Sequence, residues 1–546
     1  MRRHPAALPF LFFTEMWERF GYYLMIGIFF LYMTDTQTGG LGFDREVASD
    51  IYGTFIALVY VTPFIGGLLA DRILGYRRSI ILGGSLMGIG YLLLAIPNSM
   101  TAFYTSLLVM ILGNGFFKPN ISTLLGNLYN EPQYRALKDD GYNIFYMGIN
   151  IGALVCNFVA AYLRNTYGWG YAFAAAGVGM FIGVVTFISG LRTMGHADVR
   201  REPNPAEASV LTLLSSVLLP ALLTGFLAWN IPGNVLGSDS TDAFIFGSLP
   251  VVAFFLWIFK KAAPEEKPRI KALLAIYAVV IVFWAVFKQN GTALTTWAEF
   301  YTDRSIPTWM EKPARALGMV QEVKYERSEY AVYDSQFRTK KDPQTKQIIK
   351  AEGIHPYFLN VAEPERPPLG SSISLVSTEI FQSVNPFFVI ILTPLVVWFF
   401  GWLRRRRREP TTPAKIGWGL IISALSTLVT VAAVYSCHNG AYKASSWWLI
   451  GTYAVITVGE LCLSPMGLSM VSKMAPARIA GLMMGGWQLA TSMGNKLSGV
   501  LATMWDRYDH KAAFFWVNFA LLSLAALVLF AMLRWLNRLF REQGLS

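Results

Sequence analysis

Glu15, Glu18, Arg19, Tyr22 and Tyr23 follow one another at spacings of three and four, so on an α-helix two acids, a guanidinium and two phenols form one stripe. The run that carries them, 8–33, is otherwise apolar and long enough to cross a hydrocarbon core. An ionisable side chain at mid-bilayer costs at least about 2.5–3.5 kcal/mol on insertion scales, so this stripe cannot face lipid. It is either a structural ion-pair cluster locking two spans or the wall of a wet pathway. Other apolar runs carry matching groups: Lys118, Asn150, Lys288, Asn385 and Glu460. A lone Asn is commonly interhelical glue. As a set, Arg19 and Lys118 offer cations to a carboxylate while Glu460 offers a counter-charge to an ammonium, which suits a zwitterion.

Energy for moving such a solute would come from an ion gradient, since the sequence holds no Walker-type phosphate loop. The five His residues, at 4, 196, 355, 438 and 510, all fall outside the apolar runs. Proton binding then falls to Glu15 and Glu18, and a Glu18–Lys118 pair broken by protonation is the expected coupling device. No cofactor and no metal site are expected. Gly83-Gly-Ser-Leu-Met-Gly88-Ile-Gly90 has the glycines of a dinucleotide loop but lies inside an apolar run, where small residues let helices pack closely.

The elements that must position these groups are membrane helices. Of 546 residues, 54% are hydrophobic and 15% charged, a balance unlike that of a soluble enzyme. Roughly fourteen runs are long enough to span, at 8–33, 47–70, 79–96, 102–130, 141–164, 170–193, 209–229, 243–261, 270–300, 372–403, 414–436, 447–472, 479–504 and 512–536. Lys and Arg concentrate in alternate connections, at Arg2 and Arg3 and in 72–78, 192–201, 260–271, 404–408, 473–478 and 534–541. The other connections, such as 35–46, 97–100 and 231–242, carry almost none, so both termini are expected on the cytoplasmic side. The net charge of +12 is explained by these connections and anionic headgroups, and no nucleic acid partner is expected. The first run reads as a retained span, because it is long, contains charges and lacks a small-residue cleavage site. Cys156, Cys437 and Cys462 are too few for a disulfide framework and read as packing residues.

Residues 303–370 break the short-loop pattern, with Arg338-Thr-Lys-Lys-Asp-Pro and Glu363-Pro-Glu-Arg-Pro-Pro too polar for lipid. They read as a disordered or small accessory insert on the periplasmic side, with a cap over the outer mouth as the alternative. Pro119, Pro386 and Pro465 each follow a polar residue in a run and free a carbonyl for bending, as hinges or as static kinks.

Glu15-Met-Trp-Glu18-Arg19-Phe20-Gly-Tyr22-Tyr23 resembles the E-x-x-E-R-F-x-Y-Y motif of the proton-dependent oligopeptide transporters. Gly66-Gly-Leu-Leu-Ala-Asp71-Arg-Ile-Leu-Gly75-Tyr-Arg-Arg resembles the loop between the second and third spans of major facilitators. Tyr142-Asn-Ile-Phe-Tyr-Met-Gly-Ile-Asn150-Ile-Gly152-Ala, Phe381-Gln-Ser-Val-Asn385-Pro386 and Gly459-Glu460-Leu-Cys-Leu-Ser464-Pro465-Met-Gly467 resemble that family's fifth, eighth and tenth transport helices. The resemblance implies an all-α integral membrane protein of the major facilitator fold. A six-helix bundle would occupy 1–193, a linker with two extra helices 194–269, and a second bundle with the insert 270–546.

It further implies a monomeric proton-coupled symporter of di- and tripeptides in a bacterial inner membrane, with no enzymatic activity, working by alternating access. Arg19, Tyr22, Lys118 and Asn150 would hold the peptide carboxylate, Tyr23 its backbone, Asn385 and Glu460 its amino end, and Trp487 would wall a side-chain pocket. Asp71 and the three prolines would serve gating. The sequence departs from the family where an Arg and an acid usually form an outer gate, because Ile26 and Lys288 stand there. Lys288 then needs another partner, with Glu379 a candidate, or stays neutral. Another solute on the same fold (nitrate, an amino acid conjugate or a peptide-like drug) and a non-transporting sensor are the alternatives. A small anion gains nothing from Glu460.

Overall fold

The computed structural model describes residues 4–199, 212, 214–345, 347–476 and 479–542. Arg2, Arg3, Arg200, Arg201, Arg478 and most of the 209–213 start of the seventh expected run lie outside them. The helices of the expected runs are α1 (Leu8–Thr34), α2 (Arg45–Leu69), α3 (Tyr76–Leu94), α4 (Met100–Leu128), α5 (Lys138–Tyr167), α6 (Trp169–Ser189), the short α7 (Leu219–Trp229), α8 (Asp239–Lys261) and α9 (Lys267–Phe287). After a short helix α10 (Thr308–Ala316) come α11 (Val384–Arg405), α12 (Thr412–Ser436), α13 (Ser446–Met474), α14 (Ala480–Thr503) and α15 (Lys511–Glu542). Every expected run contains a helix.

Ten helical stretches among the described residues are long and apolar enough to cross a membrane. The stripe on α1, the glycines and arginines of α3, and Lys496 with the glycines of α14 make those helices less apolar. Large apolar side chains line the outside, among them Phe226, Leu256, Val397 and Trp398, each more than half exposed. A surface of that kind is stable only in hydrocarbon.

The first six helices pack around one core, α1 against α5 and α6, α3 against α4 and α6, and α2 against α4. Phe29, Phe117, Leu124 and Phe173 fill that core. A second group forms around Ile270, Phe283, Leu420, Leu463 and Leu529, with α12 against α13 and α15, and α9 against α14 and α15. α7 and α8 form a hairpin, and the start of α8 touches α2: Ser238 Oγ donates to Asp50 at 3.1 Å and Ser240 to the same carboxylate at 2.5 Å. α2 runs along α14 and joins the two groups. The approach needs glycine, since a Cβ on Gly53 would stand 2.7 Å from Gly499 Cα.

Two expected runs are not single helices. The 270–300 run breaks after α9 into a 3₁₀ turn at Lys288–Gly291, one α-turn at Ala293–Thr296 and a π turn at Trp297–Tyr301. The break is satisfied from outside the helix: Asn290 O accepts from Gln382 Nε2 at 2.7 Å, and Gly291 lies against the Tyr52 hydroxyl. In 372–403, residues Ser372–Val376 are a strand and Thr378–Ser383 a 3₁₀ turn, so α11 starts only at Val384. Pro386 therefore sits in the first turn of α11, where its missing N–H costs no intrahelical bond, whereas Pro119 and Pro465 lie inside α4 and α13.

Of the two expected forms of the insert, disordered or small accessory unit, it takes the second. β1 (Val320–Lys324) pairs antiparallel with β4 (Ser372–Val376), and β2 (Ser328–Ala331) with β3 (Lys350–Gly353). Val323, Tyr357, Phe358 and Leu375 give it a small core of its own. Burial there pushes His355 down to about 4, so its ring is neutral at neutral pH. The insert also touches both helix groups. Lys341 pairs with Asp44 at 2.6 Å and Arg45 donates to the Phe337 carbonyl, while Gln336 donates to Asp509 at 2.8 Å and Arg338 to the Asp506 carbonyl at 3.1 Å.

Candidate functional site

The stripe on α1 is buried, with Glu15, Glu18 and Arg19 at 4%, 0% and 4% exposure. Arg19 holds Glu18 in a fork: Nε donates to Oε2, and Nη2 to Oε1 at 2.8 Å. The same Nε lies 3.3 Å from Glu15 Oε1. One guanidinium thus serves two carboxylates unequally, since both oxygens of Glu18 are engaged while Glu15 Oε2 has no hydrogen-bond partner among the described residues. The Arg19 guanidinium is also 5.2 Å from the Tyr22 ring centre, and Tyr22 meets Tyr23 edge-on at 5.4 Å.

Lys118 does not contact Glu18, as the sequence suggested it would. Glu18 has its bidentate partner on the adjacent residue, a match of shapes that a single ammonium cannot equal. Lys118 Nζ instead lies 4.0 Å from the centre of the Tyr60 ring on α2. Lys288, from the other helix group, is 5.9 Å from the same ring and 5.4 Å from that of Trp284. Nor does Lys288 meet Glu379, which is paired with Arg164 of α5 at 3.3 Å. Tyr60 is a residue that sequence reasoning missed. A single phenol in Val59-Tyr60-Val61 carries no signal until two lysines from different helix groups converge on it.

Glu460 on α13 accepts a hydrogen bond from Asn385 Nδ2 at 3.1 Å, and the same amide donates to Thr457 at 2.9 Å. Glu460 feels Lys288 and faces Tyr23 electrostatically, while Lys118 feels Glu18, Arg19 and Lys288, so the groups from the two bundles share one field. Lys118, Lys288, Asn385 and Glu460 are all half-buried, open to more than their own helix neighbours. Asn150, also half-buried, donates to the Tyr146 carbonyl one turn back on α5. Trp487 is buried, with its ring centre 6.3 Å from that of Tyr277 and its edge against Gly467. Asp71 falls in a π-helical turn, Ala70–Leu74, between α2 and α3, and the start of α3 is capped by Asp198, which accepts from Tyr76 N at 2.7 Å and pairs with Arg77 at 2.9 Å.

Cross-bundle ion pairs gather at the end that carries the insert. Lys496 of α14, fully buried, meets Asp50 of α2 at 2.6 Å and also donates to Thr54 and Ser240. Arg45 meets Asp506 at 3.1 Å, and Arg164 meets Glu379. At the opposite end the pairs among the described residues stay within a bundle. There the Arg404 hydrogen bond, aided by Lys415, holds the Glu409 carboxyl down to about 2. Lys496 carries the same sequence signal as Lys118, a charge within an apolar run.

Two helical bundles joined at one end, with opposed charges between them at mid-span and an accessory hairpin at the side, define a secondary transporter of the major facilitator fold. The comparisons narrow this class. A model of the POT family matches residues 77–323 and 370–517, leaving out most of the insert. An uncharacterized transporter, YclF, of Bacillus subtilis (strain 168) is 31% identical over 92% of this chain and 89% of its own length. A di-/tripeptide transporter of Lactococcus lactis subsp. cremoris is 30% identical over 90% and 88%. A crystal structure of the peptide transporter POT in complex with sulfate superposes with a TM-score of 0.76 at 29% identity, covering 98% of this chain and 97% of that one. The chain belongs to the POT family, as a multi-pass membrane transporter and not an enzyme.

Proposed function

We propose that the protein imports di- and tripeptides with protons by alternating access, from the periplasmic side of a bacterial inner membrane, as a monomer with both termini in the cytoplasm and no cofactor. The observation that carries this reading is the charge balance between the bundles. Glu15, Glu18 and Glu460 face Arg19, Lys118 and Lys288, so the formal charges cancel. A zwitterion enters such a field without net electrostatic cost if its ends find opposite charges, while a lone anion or cation unbalances it.

Arg19 and Lys118 are assigned to the peptide carboxylate with Tyr22 and Asn150, and Glu460 with Asn385 to its ammonium. Tyr23 lies beside the backbone and Trp487 closes a side-chain pocket. Glu15 takes the coupling proton, and Glu18 keeps Arg19 oriented. The ion pairs at the insert end, with Lys288 at the outer-gate position, keep the outer mouth shut, and the bends at Pro119 and Pro465 and the loop at Asp71 serve the opposite, inward-facing side.

Substrate class is tested by competition against labelled dialanine in exchange at equal pH. Unlabelled dialanine and trialanine compete fully, while N-acetyl-dialanine, which lacks the ammonium, competes about 10–100-fold less well because Glu460 is left without its partner. Equal competition by the acetylated peptide, or by nitrate, overturns the assignment of Glu460 and with it the peptide reading.

A further inference from the structure

The α7–α8 hairpin is tied to the bundles near its two ends and stands off them between. At the outer end Ser240 donates to Asp50 of α2 and accepts from Lys496 of α14 at 2.8 Å. Toward the inner end Phe255 seats against Gly486 of α14, where a Cβ would stand 3.0 Å from the ring. From Ser240 to Phe255 α8 runs for about 22 Å. Along that stretch lies a cavity of about 400 Å³, walled by α2, α14 and both hairpin helices. Thr54, Leu58, Val61, Ile65 and Leu68 recur at intervals of three and four, so one whole face of α2 lines it. Tyr60 lies on another face, and the cavity is separate from the polar space around its ring.

The walls call for hydrocarbon. Four hydroxyls reach the lining, and each is already committed: Thr54 donates to the Asp50 carbonyl at 2.8 Å, Ser240 to the Asp50 carboxylate, Ser248 to the Phe244 carbonyl at 2.7 Å and Ser492 to the Ala57 carbonyl at 2.6 Å. An apolar cavity with no unmet polar group stays dry and takes up apolar molecules. Leu222 and Phe226 of α7 line it and are nevertheless more than half exposed, so it opens sideways, toward the bilayer. Charge then selects the leaflet. Lys260 and Lys261, in the last turn of α8, are exposed and make no ion pair among the described residues. They begin about 8 Å beyond Phe255, and Trp257 beside them is exposed, as at a headgroup boundary. The outer connection 230–238 has no Lys or Arg, and Asp239 and Asp242 open α8 there, the wrong sign for a phosphate.

We infer that this cavity is a lipid site, holding one acyl chain of an anionic phospholipid of the inner leaflet with its phosphate against Lys260 and Lys261. Half the hydrocarbon core is about 15 Å deep, so a chain anchored at the end of α8 reaches most of the way along the cavity. There it supplies the packing that the hairpin lacks between Ser240 and Phe255, and it presses the hairpin onto α2 and α14, the two helices that join the bundles. A ligand held by one conformation stabilises that conformation, so bound lipid favours the state in which α2 runs along α14. The leaflet assignment rests on the topology proposed above. The site is independent of the solute carried.

The test places the full chain in phosphatidylcholine nanodiscs with a trace of phosphatidylglycerol that carries a diazirine on one acyl chain. Irradiation and peptide mass spectrometry then read where the chain sits. Adducts are expected on Leu58 and Leu489, half-buried residues that face the cavity from α2 and α14. Added unlabelled phosphatidylglycerol suppresses them about tenfold more strongly than the same amount of phosphatidylcholine, a preference within what two lysines near the surface supply. Val251→Trp, which fills the cavity from α8, abolishes the adducts on Leu58 and Leu489, and Lys260→Glu/Lys261→Glu removes the preference for phosphatidylglycerol. Adducts confined to outward-facing residues such as Leu256 and Val397, or adducts on Leu489 that survive Val251→Trp, overturn the site. If Val251→Trp fails to fold, the exposed lysine pair still decides: equal suppression by the two lipids in the wild type, or an unchanged preference in the lysine variant, overturns the assignment. No adducts on either residue together with two chains per disc by native mass spectrometry would put a second copy in the cavity, and overturns it as well.

Discussion

Glu15→Gln abolishes the response of uptake to a proton gradient while leaving exchange of peptide at equal pH close to wild type. The amide mimics the protonated acid, so the helix stays in the state that a proton normally creates. Because Glu15 touches Arg19 through one oxygen only, its neutralisation leaves the Glu18–Arg19 fork intact. Glu18→Gln behaves differently. An amide presents one acceptor oxygen to a guanidinium that was engaging two, so Arg19 loses its orientation and its neutralising charge. Gradient-driven uptake falls about 100-fold in both variants, near the upper end of coupling between linked sites, but exchange survives only in the first. Radiolabelled uptake and counterflow, measured on the same vesicles, separate the two. Full gradient-driven uptake by both variants would remove α1 from the coupling mechanism.

Asp50→Ala is expected to destabilise the protein by about 3–5 kcal/mol, the cost of leaving a buried charge without its partner. Lys496 is fully buried, and with Asp50 gone it keeps only the hydroxyls of Thr54 and Ser240. The double variant Asp50→Leu/Lys496→Met removes both charges, and it regains most of that stability because a buried pair gains little over an apolar pair of similar volume. What it does not regain is the polar tie between α2, α14 and the start of α8, so its outer end closes less tightly. Thermal unfolding in detergent, followed by tryptophan fluorescence, reads the first effect. A double variant no more stable than Asp50→Ala contradicts the account of this pair.

The helices were legible in the sequence because apolar length is a strong signal in a membrane protein, and because Glu15, Glu18 and Arg19 stand out against it. Their exceptions have local causes. Lys288–Gly291 unwinds where Gly291 must pass the Tyr52 hydroxyl and Gln382 binds the freed Asn290 carbonyl, neither of which is visible within the 270–300 run itself. Ser372–Val376 alternates like a strand, yet it reads as the start of a span until its partner, Val320–Lys324, is known.

Pairing was far less legible than residue type. The sequence offered Lys118 for Glu18 and Glu379 for Lys288, whereas the structure joins Glu18 to its neighbour Arg19 and Glu379 to Arg164, more than two hundred residues away. Opposite charges on different helices can pair in many ways, and helix packing selects among them. The insert shows the same limit. Its polar composition left disorder and a small accessory unit both open, and four buried residues, Val323, Tyr357, Phe358 and Leu375, suffice for a core when the flanking strands are held by the helix ends.

The most direct test of the central claim is accumulation of labelled dialanine by proteoliposomes containing the wild-type protein, with an inward proton gradient imposed or collapsed by an uncoupler. Accumulation above the external concentration with the gradient, falling to simple equilibration without it, is the predicted result. Equal uptake in both conditions, or none in either from a protein shown to be folded and correctly inserted, would contradict proton-coupled peptide import.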